Sequence, residues 1–185
     1  MYKRQIDPGS VRTGFGCVDS DGSRHRLVRC GAITAPQRLS FPARLHLIHS
    51  ALVEILADCR PDAVAVESLF HAVNARSALQ LGHARGVALL AATQAGLEVA
   101  EYPPAEVKRA VVGYGRAEKQ QVQHMVTLLL GLAEPPEPFD ASDALAVAIC
   151  HVHLQQLASQ PAIAEAQADA KAARAPRSWR HYKVV

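Results

Sequence analysis

The chain is poor in aromatic residues. One Trp, four Phe and four Tyr are spread over 185 residues, so an aromatic at a loop tip stands out against that background. Cysteine is also sparse. Cys17, Cys30, Cys59 and Cys150 show no C-x-x-C spacing and read as reduced, mostly buried thiols of a cytosolic protein. No apolar run reaches the roughly 18 residues of a membrane span. No signal peptide is visible, so nothing argues for export. Charge of one sign is lacking too: Lys and Arg exceed Asp and Glu by only three, and the pI is about 8.8. That mild excess suits a phosphate-bearing partner and equally suits a solvated surface. What is plentiful is apolar residues, 49% against 20% charged. The composition is that of one globular domain large enough to bury a core.

The chain opens on Ile6-Asp7-Pro8-Gly9-Ser10. A carboxylate stands where a first strand should end, and Pro8 and Gly9 break the strand. Asp-Pro either opens a turn or offers an acid at the lip of a sheet. The residues before it are odd for a buried strand: of Tyr2, Lys3, Arg4, Gln5 and Ile6, only Ile6 is aliphatic. Either the fold tolerates a ragged first strand, or these residues are foreign to it.

Strands are predicted over Thr13–Val18 and Arg26–Ile33, joined by the turn Asp19-Ser20-Asp21-Gly22-Ser23. Phe41–Cys59 reads as a helix, with Leu45, Ile48, Leu52, Ile55 and Leu56 on one face. Pro61 stops it. Ala63-Val64-Ala65-Val66 is a short buried strand ending in Glu67. A strand-helix-strand crossover implies parallel pairing. If the partner is the first strand, Glu67 lands beside Asp7.

A long helix follows over 72–95, with Ala78, Gly82 and Gly86 four apart. Each helical glycine costs about 1 kcal/mol relative to alanine, so this ridge suggests close packing against the sheet or against a second copy. Val99–Tyr102 is a fifth strand. A short helix over 105–111 carries Lys108 and Arg109. After Gly113-Tyr114-Gly115-Arg116 comes a helix over 117–131, with Val122, Met125, Val126 and Leu129 inward. Glu134-Pro135-Pro136-Glu137-Pro138 is a stiff connector. It delivers Asp140-Ala141-Ser142-Asp143 to a last helix over 141–156. His151 and His153 are two apart on that helix and diverge, which argues against a joint metal site. From Ser159 the composition turns Ala/Gln/Arg-rich and reads as a basic tail. The expected division is a domain over 1–157 and a tail over 158–185.

Asp140 and Asp143 can share one helix face. Alone they read as a helix cap and a dipole-friendly acid. With Asp7 and Glu67 they make four carboxylates at one sheet edge. Such acids repel one another and raise one another's pKa values, and hard oxygens in that arrangement suit Mg²⁺ or Mn²⁺. Two such ions roughly 3.5–4 Å apart serve in-line attack of water on a phosphodiester.

The stretches I-D-P-G-S-x-x-T-G-F-G (6–16), A-V-E-S-L-F (65–70), N-A-R-S-A-L-Q-L-G-H-A-R-G-V (74–87), V-K-R-A-V-V-G-Y-G-R-A-E-K-Q-Q-V-Q-H-M-V (107–126) and D-A-S-D-A-L-A-V-A-I-C-H (140–151) resemble the RuvC family. These are bacterial Holliday junction resolvases of the RNase H-like superfamily. The resemblance runs from Ile6 to about His153. It implies an α/β fold with a central mixed five-stranded sheet flanked by helices. It also implies a homodimer that cuts four-way DNA junctions in recombination and repair, leaves 5′-phosphate ends, and works with a branch-migration helicase complex of the RuvA and RuvB type. By the resemblance, Asp7, Glu67, Asp140 and Asp143 hold two Mg²⁺, with Mn²⁺ as a substitute. Phe70 is an aromatic that stacks at the crossover, and Lys108 and Lys119 are basic residues of the site. Arg76, Arg85, Arg109 and Arg116 are phosphate contacts or ordinary surface charges. The N-terminal residues depart from the family, whose members carry an apolar strand before I-D-P-G. The rival readings are a nuclease on structured RNA, an actin-like or sugar-kinase phosphotransferase, and a junction-binding module without catalysis. The phosphotransferase fold needs two lobes, and this chain has room for one.

Overall fold

The structure is a computed structural model. It describes the backbone of residues 2–7 and, with side chains, residues 11–68 and 75–158 apart from the Arg76 side chain. Phe70, the side chains of Asp7 and Arg76, and the tail expected from Ser159 onward lie outside the described residues. Met1–His153 form one compact unit.

Among the described residues, five strands make one sheet in the order β3-β2-β1-β4-β5. They are β1 (Tyr2–Asp7), β2 (Arg12–Ser20), β3 (His25–Thr34), β4 (Ala63–Glu67) and β5 (Glu98–Tyr102). β1 to β3 form an antiparallel meander, while β4 pairs parallel with β1 and with β5. The polar strand β1 is therefore central. Ladder hydrogen bonds need only backbone groups, and both its neighbours supply them in register. Strands β2 and β3 are longer than their apolar stretches because the ladder runs on into polar residues: Asp19 pairs with Arg26 and Ser20 with His25.

Among the described residues, five helices flank the sheet: α1 (Phe41–Cys59), α2 (Ala75–Gln94), α3 (Pro104–Val112), α4 (Lys119–Leu129) and α5 (Phe139–Ala158). Helix α1 matches its predicted span. It ends at Arg60 in the left-handed region, φ 41°, followed by Pro61, as helix C-termini commonly do. Its buried residues Ile48, Leu52, Ile55 and Leu56 join Phe15, Ile33, Val64, Val66 and the alanines Ala88, Ala91 and Ala92 of α2 in one core. Those alanines show which row of α2 faces inward. The Ala78/Gly82/Gly86 row faces the other way. A Cβ added at Gly82 or Gly86 would meet nothing within 4 Å, and both positions are exposed. Packing of this ridge on the protein's own sheet is therefore excluded. Small residues do bring α2 close to the core, but they are the alanines half a turn away.

Helix α5 lies on the opposite face of the sheet and is buried along nearly every residue from Ala141 to Val152. A helix buried all round must be apolar all round, and Ala144-Leu145-Ala146-Val147-Ala148-Ile149 is. Its start is anchored by the proline connector. The buried Ser142 hydroxyl donates to the Pro136 carbonyl at 2.8 Å, and Gln123 Nε2 of α4 donates to the same oxygen at 3.0 Å. Ser142→Ala is expected to destabilise the protein by about 1 kcal/mol, read as a lower midpoint in urea at unchanged slope.

His151 and His153 diverge, as their spacing predicts. His151 Nδ1 bonds the Tyr102 hydroxyl at 2.7 Å. His153 bonds the Ala110 carbonyl at 3.0 Å and His25 Nε2 at 3.1 Å. All four cysteines are free. Among the described residues, no helix is long and apolar enough to cross a membrane.

Candidate active site

Parallel pairing of β1 with β4 aligns Ile6 with Val66. Asp7 and Glu67 thus end adjacent strands at the same edge of the sheet. Asp7 also pairs in register with Gly14 of β2. Gly14 has a specific task. A Cβ there would lie 2.0 Å from the backbone oxygen of Asp140 and 2.6 Å from its carbonyl carbon. The missing side chain lets the first turn of α5 sit directly on β2, opposite Asp7. At Gly16 an added Cβ would lie 2.7 Å from Leu145 Cδ2. Gly14 and Gly16 of β2 are thus the seat of α5.

On the other side of α5, a cleft of about 340 Å³ is lined by Glu67, Lys108, Lys119 and Asp143, with walls from Pro104, Val107 and Val122. Lys108 comes from α3, and Lys119 is the first residue of α4. The start of α4 is set by a capping box in which Glu118 and Gln121 each accept the other's backbone N–H,. Lys119 Nζ reaches Asp143 Oδ2 at 3.1 Å. Burial holds the Glu67 carboxyl above the usual carboxylate range. The charge of Asp143 adds to this, and Lys119 and Lys108 pull the other way.

Two of the four acids therefore face one cleft with two lysines, and the backbones of the other two stand beside them. Among the described residues, no three His, Cys, Asp or Glu side chains come together as a metal-holding group. The Asp140 carboxylate is engaged elsewhere, by Arg12 Nη1 at 3.5 Å. Even so, the donor set fits a hard cation. It is all oxygen, and one carboxyl is destabilised by burial and by a like charge that a divalent ion would neutralise.

The predicted arginines whose side chains are described do not line this cleft. Arg85 is paired with Glu101 of β5. Arg109 on α3 and Arg116 in the loop after it are exposed and do not line the cleft. Arg12, at the start of β2 and two residues before Gly14, is not among the residues expected from the sequence, where its one signal is an arginine opening a glycine-bearing strand.

A family model described as crossover junction endodeoxyribonuclease RuvC matches residues 5–151. A crossover junction endodeoxyribonuclease RuvC from Syntrophomonas wolfei is 49% identical over 154 residues, covering 83% of this chain and 90% of the relative. The structure of Thermus thermophilus RuvC superposes with a TM-score of 0.79 at 36% identity, over 86% of this chain and 98% of that one. For the same protein in complex with a Holliday junction substrate, the TM-score is 0.82 at 36% identity, over 86% and 97% of the two chains. The mixed five-stranded sheet flanked by helices is an RNase H-like fold. With the strand-end acids, the α5 carboxylates and these matches in place, the chain belongs to the RuvC family of crossover junction endodeoxyribonucleases.

Proposed function

We propose that this protein resolves four-way DNA junctions by paired, metal-dependent hydrolysis of phosphodiester bonds. The observation that carries the reading is the cleft where Glu67 and Asp143 meet under Lys108 and Lys119, beside the strand end of Asp7 and the seat of Asp140 on Gly14. The Thermus relative, solved with a Holliday junction substrate, supports the substrate class. Asp7, Glu67, Asp140 and Asp143 would hold Mg²⁺, two ions per site, with Mn²⁺ as a substitute. Such ions activate water as the nucleophile and stabilise the leaving oxygen. Lys119 neutralises Asp143 and, with Lys108, supplies positive charge for the scissile phosphate. Val107, Val122 and Pro104 form an apolar wall that limits water around these groups, which strengthens each electrostatic contact.

Phe70 would stack on a base at the crossover. Base stacking on an aromatic is worth roughly 1–3 kcal/mol. Arg76, Arg85, Arg109 and Arg116 are assigned only to general phosphate attraction. Of these, Arg85 is the weakest assignment because Glu101 already holds it. A homodimer supplies the two sites that a junction with two-fold symmetry requires. The outward row of α2, with Leu79 and Leu90 exposed beside Gly82 and Gly86, is the surface that suits a second copy. The branch-migration helicase complex of the RuvA and RuvB type would act on the same junction in the cytoplasm. The domain ends near residue 157, with a basic tail beyond.

A synthetic four-way junction incubated with the chain and Mg²⁺ is expected to yield paired nicks, which a chelator abolishes. Asp7→Asn should remove cutting while junction binding persists in a gel-shift assay. Equal cutting of linear duplex, or full activity of the variant, would overturn the proposal.

A further inference from the structure

Each acid on the first turn of α5 has a basic partner, and the two partners come from opposite sides. Lys119 reaches Asp143 from α4 at 3.1 Å, and Arg12 reaches Asp140 from β2 at 3.5 Å. The second contact is long for a charge-assisted bond. It is also half open to water: the Arg12 side chain is 52% exposed and that of Asp140 is 32% exposed. A pair this loose is readily exchanged. Arg12 itself is well placed. Its backbone is fixed in the ladder opposite Thr34, two residues from Gly14, on which Asp140 sits.

We propose that Arg12 is a hand-over residue. In the metal-free protein it is the counter-ion of Asp140. When a divalent cation takes that carboxylate, the guanidinium is released to bind a phosphate of the DNA strand crossing the site. This rests on the reading of Asp140 as a metal ligand. The same Oδ2 cannot serve both cations at full strength, because a guanidinium beside a divalent ion is repelled. The freed side chain stays at the sheet edge on the β2 side, across α5 from Lys108 and Lys119. Its planar fork suits phosphate oxygens, and it remains charged at any working pH. Positive charge then flanks the scissile strand on both sides. In the empty site the same arginine blunts the repulsion among the acids.

The test is calorimetric titration of Mn²⁺ into the full chain without DNA, followed by junction binding. For binding, fluorescence anisotropy is measured in chelator and in Ca²⁺, with hydrolysis checked to be absent. Arg12→Gln is expected to bind Mn²⁺ roughly three- to tenfold more tightly, from loss of a neighbouring like charge, while Arg12→Lys stays near wild type. In Ca²⁺, Arg12→Gln should weaken junction binding several-fold and lower the salt slope by about one, with little change in chelator. Unchanged or weaker Mn²⁺ binding by Arg12→Gln, when Asp140→Asn does weaken it, would overturn the hand-over alone. An unchanged salt slope in Ca²⁺ would overturn its phosphate half. If Asp140→Asn leaves Mn²⁺ affinity untouched, the ligand assignment beneath the proposal fails instead.

Discussion

Glu67→Gln is expected to abolish metal-dependent cutting of a four-way junction while leaving junction binding nearly unchanged. Glutamine keeps the size and one oxygen but loses the charge. A metal-assisted phosphodiester hydrolysis deprived of one anionic ligand should slow by at least about a thousandfold, since each 1.4 kcal/mol lost from transition-state stabilisation is about tenfold in rate. The same substitution has a second, opposite signature. Glu67 is held above its ordinary pKa by burial and by Asp143. A carboxyl whose folded pKa exceeds its unfolded value binds its proton more tightly when folded. The wild-type chain therefore loses stability from this group as pH rises through the folded value, and regains it as pH falls. Metal-free Glu67→Gln lacks that loss. Its melting temperature near neutral pH should exceed that of the wild type, and added Mg²⁺ should raise it less. Single-turnover nicking and melting curves with and without Mg²⁺ check both halves. A variant that cuts normally, or that melts lower without metal, would show that Glu67 is a structural acid.

Gly14→Ala carries the second large effect, and it acts through backbone rather than charge. Its Cβ would stand 2.0 Å from the Asp140 oxygen, well inside van der Waals contact. Neither side can yield cheaply. Gly14 is held in register between Asp7 and Ala32, and Asp140 opens a helix buried along most of its length. Overpacking a core commonly costs 1–3 kcal/mol, and here the obstacle is main chain, so a loss of about 3 kcal/mol or more is expected. For a chain of this size that is a fall of about 10 °C in melting temperature. Cutting should fall with it even though every acid is intact, because α5 can no longer sit where Asp140 stands against β2, beside the strand that ends in Asp7. Gly16→Ala is the internal comparison. Its obstacle is mainly the Leu145 side chain, with Cδ2 at 2.7 Å and Cγ at 2.9 Å and the Leu145 backbone nitrogen further off at 3.1 Å, so the overlap with main chain is milder than at Gly14 and the cost should be smaller. Equal effects of the two substitutions, or a Gly14→Ala protein within about 0.5 kcal/mol of wild type in urea, would refute this account of α5 docking.

Glu67 and Gly14 mark the two ways this site is built. Glu67 was legible because its placement follows from a simple rule: a short apolar run, a crossover helix, and parallel pairing to the first strand bring the strand ends of Glu67 and Asp7 side by side,. Gly14 was visible as a letter but not as a seat. Nothing in the spacing of Thr13-Gly14-Phe15-Gly16 says that a helix more than a hundred residues later will lie on it.

Local patterning was enough for the span of α1, for the short strand that ends in Glu67 and for the helix start that carries Asp140 and Asp143. Each of these depends on periodicity or on chain breakers such as Pro61 and the proline connector. The first strand before Asp7 stayed ambiguous in it, and the grouping of the four acids came from the family resemblance. Only the tertiary structure decided the rest. It turned the Ala78/Gly82/Gly86 ridge outward and the Ala84/Ala88/Ala91/Ala92 row inward, because both rows are small and either could have packed. It joined Arg12 to Asp140 and His25 to His153, each pair 128 residues apart. Such contacts are set by which faces of packed layers meet, and that is a property of the assembled sheet and helices rather than of any window of residues.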